Sequence, residues 1–155
     1  MGQEKQLNIV DHCWVLMTFL CAATDEGQVH FFVDGEHKRV IDVRAIIQKH
    51  ESTGSRGAER EKIKAYQSLL GKNKDTEVPP VRLISLAAYS RGFVVGGDQG
   101  YLGIFKVTAQ LAIEPLHSFR MPGEKEVLWQ MSTSSEDTHL TILSYREKDA
   151  EEYEG

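Results

Sequence analysis

The sequence predicts an all-β fold built from about two and a half copies of a four-stranded unit, with a short helical insertion between the first two copies. Three observations lead there: a gapless internal match, a hairpin signature inside each matched segment, and a period of about 40 residues once the insertion is set aside.

The match joins Leu20–Phe32 to Phe93–Phe105. In it Asp25 lies over Asp98, Gly27 over Gly100, Val29 over Leu102, Phe31 over Ile104 and Phe32 over Phe105. Each copy reads as a small apolar strand, a turn built on Asp and Gly, and a second strand, which is the pattern of a β-hairpin. Gly27 and Gly100 stand 73 positions apart, too far for one repeat. The polar stretch 47–79 has no counterpart in the motif, and its removal leaves about 40 residues, the spacing of a four-stranded propeller blade.

The strands of the first unit, residues 1–46, are expected at Cys13–Val15, Phe19–Ala23, Val29–Val33 and Arg39–Val43. Those of the second, residues 80–121, are expected at Leu83–Ala88, Phe93–Val95, Leu102–Val107 and Leu116–Phe119. Phe31 and Phe32 are adjacent, as are Ile104 and Phe105. Strict alternation of apolar and polar residues is therefore absent, as expected of sheets covered on both faces. A partial third unit, residues 122–155, starts with Val127–Met131, turns at Ser134–Asp137 and enters Leu140–Leu143. From Arg146 to Gly155 the chain is mostly charged and is expected to be a solvated tail.

Within the insertion, His50–Gly57 has loop composition, whereas Ala58–Leu70 places Ile63, Tyr66, Leu69 and Leu70 at helical spacing before Gly71. Pro79 and Pro80 then return the chain to an extended conformation. The plainer reading of this helix is a loop element resting on the rim of the sheets; the functional one is a docking arm whose apolar residues meet a partner groove. The plainer reading is preferred.

The motif resembles the WD-repeat superfamily, with Gly27 and Gly100 at the turn glycine and Phe32 and Phe105 at the aromatic position usually held by Trp. Glu26 and Gln99 stand at the turn-aspartate position and no Gly-His pair precedes either unit, so the hydrogen-bond network that many members share is not implied. The segments Thr24–Val29 and Tyr89–Gly100 are similar to units of the large ciliary WD-repeat proteins, the family of cilia- and flagella-associated protein fifty-seven. That resemblance, over residues 8–145, implies a partial WD40-type β-propeller from a parent protein with a coiled coil. It also implies a non-catalytic scaffold in the cilium or flagellum axoneme, associated with inner dynein arm assembly or regulation. A general cytosolic WD-repeat adaptor is the alternative. Two and a half units cannot close a ring, so remaining blades are expected in cis or in trans.

Composition narrows the function classes. A chain of 155 residues can bury one ordinary core. Its formal charge of −5 gives no bulk attraction to nucleic acid or to an anionic membrane. Cys13 and Cys21 lie in strand-like apolar runs without an expected signal peptide or glycosylation sequon, which suits a reducing, cytoplasmic compartment. No apolar run approaches the roughly 20 residues needed to cross a bilayer.

Sites of chemistry are not expected. Gly96–Gly100 lacks the Lys-Ser/Thr of a phosphate loop and precedes a strand rather than a helix. His12, Cys13 and Cys21 lack the paired spacing of a metal site and read as core. Ser90 and His117 have no nucleophile-elbow context. Tyr89, Tyr101 and Trp129 are candidates for an exposed contact patch, with Trp129 the more naturally assigned to the core. No catalytic, cofactor-binding or metal-binding residue is assigned, and no protein-binding residue is singled out.

Overall fold

The computed structural model describes residues 6, 8–53, 80–121 and 125–147. They form three antiparallel sheets and one helix. The first sheet is a meander of β1 (Ile9–Val15), β2 (Phe19–Thr24), β3 (Gln28–Val33) and β4 (Glu36–Asp42). Helix α1 (Val43–Thr53) follows. The second sheet repeats the meander with β5 (Leu83–Tyr89), β6 (Gly92–Gly97), β7 (Tyr101–Val107) and β8 (Ile113–Arg120). The third is a hairpin of β9 (Glu126–Thr133) and β10 (Leu140–Arg146).

Register extends the internal repeat beyond the residues that match in sequence. Ile9 faces Thr24 and Asp11 faces Ala23, so Val10 is bulged out of the β1–β2 pairing. Leu83 faces Gly97 and Ser85 faces Gly96, which bulges Ile84. Leu128 faces Ser144 and Gln130 faces Leu143, which bulges Trp129. Asp11, Ser85 and Gln130 therefore occupy one position of a common unit. A second shift recurs as well: Phe31 and Phe32 pair with Arg39 and His37, skipping Lys38, while Ile104 and Phe105 pair with His117 and Pro115, skipping Leu116. Pro115 is tolerated because β8 lies at the sheet edge and its missing N–H costs no ladder bond on the outer side.

The turns repeat too. Gly27 and Gly100 both have positive φ, 87° and 69°, which a residue without a Cβ adopts at little cost. Their carbonyls accept from the N–H groups of Val43 and Met121, at 2.9 and 2.7 Å. Asp25 N–H donates to the Asn8 carbonyl and Asp98 N–H to the Arg82 carbonyl.

The sheets stack face to face with their first strands adjacent, β1 beside β5 and β5 beside β9. Side chains alternate across a strand, so each face has its own set. Cys21, Ala23, Val29 and Phe31 of the first sheet share a core with Leu83, Phe93, Val95 and Phe105 of the second. Phe93 lies parallel to Phe105 at 4.9 Å and meets Phe31 across the layer at 5.8 Å, and each such side chain contributes about 1.5–3 kcal/mol on burial. The opposite face of the second sheet, with Ala87, Val94 and Leu102, packs on Leu128 and Met131 of the third. The expectation of a sheet covered on both faces thus holds for the second sheet, where every residue of β6 is buried.

Backbone-directed bonds knit the layers where the inner strands pass. Asp11 Oδ2 accepts from the Leu86 N–H at 2.8 Å, Ser85 Oγ donates to the Leu128 carbonyl at 2.7 Å, and Thr133 Oγ1 donates to the Ala88 carbonyl. Ser85 is fully buried, and a Cβ on the facing Gly96 would collide with its hydroxyl and crowd Leu128.

The region after β4 differs from expectation. The sequence predicts a strand through Val43 and a loop from His50, but the chain enters α1 at Val43 and stays helical to Thr53. Asp42 ends β4 and caps the helix, its Oδ1 accepting from the Ala45 N–H at 3.2 Å. Val43 and Ile47 are buried, with Ile46 packed beside them, giving the apolar stripe of a short helix. From the second helical position Arg44 reaches back, donating to the carbonyls of Val81 and Asp25 at 3.0 and 3.1 Å. The predicted helix Ala58–Leu70 and the charged tail beyond residue 147 lie outside the described residues.

Ser85→Ala is expected to lower unfolding free energy in urea by about 1–3 kcal/mol, since it orphans the buried Leu128 carbonyl. Ser135→Ala, in an exposed turn, is expected to stay within about 0.5 kcal/mol.

Candidate functional site

Stacking leaves two sheet faces without a neighbour among the described residues: the outward face of the first sheet and the outward face of the third. On the first, Trp14 faces Leu20 and Leu20 faces Phe32 across the pairings of β1, β2 and β3. These three, with Met17, Thr18, Val33, Asp34 and Gly35, line an open depression of about 270 Å³. Trp14 is 61 % exposed. The β1–β2 turn carries Leu16 and Met17 at positive φ and presents Met17 almost fully to solvent.

The rest of that face is polar in an ordered way. His30 Nδ1 lies 2.9 Å from His37 Nε2, and His30 Nε2 lies 3.1 Å from Gln28 Oε1. The Gln28 carbonyl oxygen only accepts, so Nε2 of His30 carries the hydrogen and Nδ1 accepts from His37. His37 also meets the ring of Phe32 edge-on at 5.2 Å. A second proton on His30 would oppose two N–H groups. Its pKa lies below the ordinary 6.5, burial being the main cause and the nearby charge of His37 the lesser one.

The outward face of the third sheet carries Leu143 and Tyr145, both about half exposed. Trp129 is also exposed, at 55 %. Its assignment to the core is corrected: the bulge between Leu128 and Gln130 takes it out of the alternation that buries Leu128 and Met131. The other two aromatic candidates leave the surface. Tyr101 is fully buried, its hydroxyl 3.3 Å from Ser118 Oγ and the Arg120 guanidinium 5.6 Å over its ring. Tyr89 is half-buried and donates to the Phe105 carbonyl at 3.0 Å, with a pKa raised mainly by burial.

The groups considered for chemistry are not assembled for it. Cys13 faces Cys21 directly across β1 and β2, both as free thiols. The Cys21 thiol is pushed well up by its hydrogen bond with Cys13, by burial and by the charge Cys13 would carry. Among the described residues no group of three or more His, Cys, Asp or Glu side chains converges as metal ligands would. Ser90 and His117 belong to opposite sides of the second sheet: the Ser90 hydroxyl and N–H both donate to Asp137, while His117 stacks on Phe119 in β8. Gly96–Gly100 ends β6 and turns into β7, and Asp98 there is held by the N–H and Nε of Arg82 at 2.7 and 3.1 Å.

The sequence reading missed Trp14, Leu20, Phe32 and the His30–His37 pair as surface features. Their signal lay in parity: Leu20, Ala22, His30 and Phe32 are the residues opposite in phase to Cys21, Ala23, Val29 and Phe31.

No protein-family model matches the chain, and no curated protein sequence matches it either.

Two pH effects follow. His30 binds its proton less readily in the folded state, so its contribution is present above pH 6.5 and lost as pH falls through the folded pKa. Urea midpoints measured from pH 8 to pH 5 should decline for the parent chain and decline less for His30→Gln. Asp137 is held below its ordinary 3.8 by the Ser90 hydroxyl and then by the Ser90 N–H. Its contribution is present above that value and fades as pH falls. Asp137→Asn should therefore lower the melting temperature at pH 7 and differ little from the parent near pH 2.

Proposed function

We propose that the chain is a non-catalytic protein-interaction scaffold whose outward sheet faces are its contact surfaces. One observation carries this reading. The outward positions of the first sheet, Leu20, Ala22, His30 and Phe32, correspond by register to Phe93, Val95, Gly103 and Phe105 of the second, the face that the first sheet covers. In the first unit no sheet covers these positions among the described residues: Leu20 and Phe32 are partly exposed, Ala22 and His30 are buried, and Trp14 and Met17 beside them are exposed. Exposed contiguous apolar surface of this kind marks interaction sites in soluble proteins.

The finer reading is a partial WD-type propeller of the ciliary family, serving an axonemal assembly that includes inner dynein arms. Three features support it: matched bulges in successive sheets, first strands that lie side by side, and the Asp-Gly turns whose residues resemble that family. The missing part of the ring is supplied in cis or in trans. Aromatic and aliphatic anchors in a shallow depression, with polar neighbours at its edge, suit a partner that inserts apolar side chains.

Co-sedimentation with demembranated axonemes tests this reading. The purified chain should pellet saturably with axonemes, more weakly with plain microtubules, and Trp14→Glu should weaken binding by at least about tenfold if Trp14 is an anchor. Equal pelleting with both, or none with either, would reject the axonemal role.

A further inference from the structure

The two outward faces are not alike, and their difference has a direction. Between the first and second sheets, the face bearing Cys21, Ala23, Val29 and Phe31 meets the face bearing Phe93, Val95 and Phe105. Between the second and third, the residues equivalent to the former set, Val94, Leu102 and Ile104, meet the hairpin face of Leu128, Met131 and Ile142. Each joint is therefore formed by opposite faces of successive units. The outward face of the third sheet, with Thr141 and Leu143 at the positions of Cys21 and Ala23, is of the giving kind. The outward face of the first, with Leu20 and Phe32, is of the receiving kind.

We propose that the outward face of the third sheet takes the outward face of the first sheet of a second copy of this chain, head to tail, continuing the stack. The occupant is set by continuity with the two joints inside the chain, both formed by the same pair of faces. The inner strand carries a matching mark. Asp11 supplies an acceptor to the next sheet and Ser85 a donor to the one after it. Gln130, at the same register position of the third sheet, is exposed and its amide has both a donor and an acceptor. Such a joint is heterologous, so copies add in a line or close into a ring rather than pair about a two-fold axis. The inference rests on reading these faces as protein-contact surfaces, but not on any axonemal role.

Sedimentation equilibrium over a concentration series tests it. The parent chain should self-associate. Leu20→Glu and Leu143→Glu should each be monomeric alone, and an equimolar mixture of the two should form a dimer and nothing larger, because each variant keeps one intact face. Trp14→Glu and Tyr145→Glu, at exposed positions, form a second pair with the same expectation, and an unchanged circular dichroism melt shows that each variant is folded. Gln130→Ala should weaken association roughly two- to tenfold, the effect of one lost hydrogen bond. A monomeric parent chain overturns the proposal, as does a single-face variant that still dimerises or a mixture of folded variants that stays monomeric. Axoneme binding by a monomeric parent chain would leave the scaffold reading standing while this one falls.

Discussion

Where β5 passes β9, the buried Ser85 hydroxyl donates to the Leu128 carbonyl between two apolar sheet faces, and Gly96 leaves the space for it. A larger residue at Gly96 would separate the strands, and a residue without a donor at Ser85 would strand a buried carbonyl at the full cost of its desolvation. The joint at Asp11 and Leu86 has the same form with donor and acceptor exchanged. With Thr133 on Ala88 and Gly100 on Glu126, these bonds hold each sheet at one shift along its neighbour. That shift in turn decides which apolar residues meet, including Phe31 against Phe93 and Val94 within reach of Leu128.

The second sheet is covered on both faces through its inner strands, with Leu116 and Phe119 of its edge strand exposed, while among the described residues the first and third are each covered on one face. Arg44 reinforces the arrangement at one end, lying over Gly27 and reaching Val81 at the start of β5. At the corresponding turn of the second sheet the Gly100 N–H donates directly to the Glu126 carbonyl at 2.7 Å. A side chain does in one joint what the backbone does in the other. The stack is thus made of equivalent steps solved by different residues, which is why the register repeats more faithfully than the sequence.

Two sets of polar groups that could titrate are held in local contacts: His30 with His37 and Gln28, and Asp137 with Ser90. Each set is next to a turn or a face that stacking leaves open. His30 sits among Phe32, His37 and Gln28 on the receiving face, so its protonation acts on the same surface that an incoming sheet would cover.

The repeat, its hairpins and its turn glycines were legible in the sequence because they depend on local rules. Asp25-Glu-Gly27 and Asp98-Gln-Gly100 must turn where positive φ is required, and short apolar runs on either side have few alternatives to pairing. Helix α1 was harder to read, although Asp42 and the spacing of Val43, Ile46 and Ile47 carried its signal, because β-branched residues directly after a strand favour its continuation. The bulges could not be read at all, since an extra residue in one strand is defined only by its partner, and with them went the exposure of Trp129 and the equivalence of Asp11, Ser85 and Gln130. By itself the sequence determined that the chain makes repeated antiparallel hairpins. Only the tertiary structure decided which face of each sheet is covered, because that depends on how neighbouring sheets slide over one another rather than on any residue's own preference.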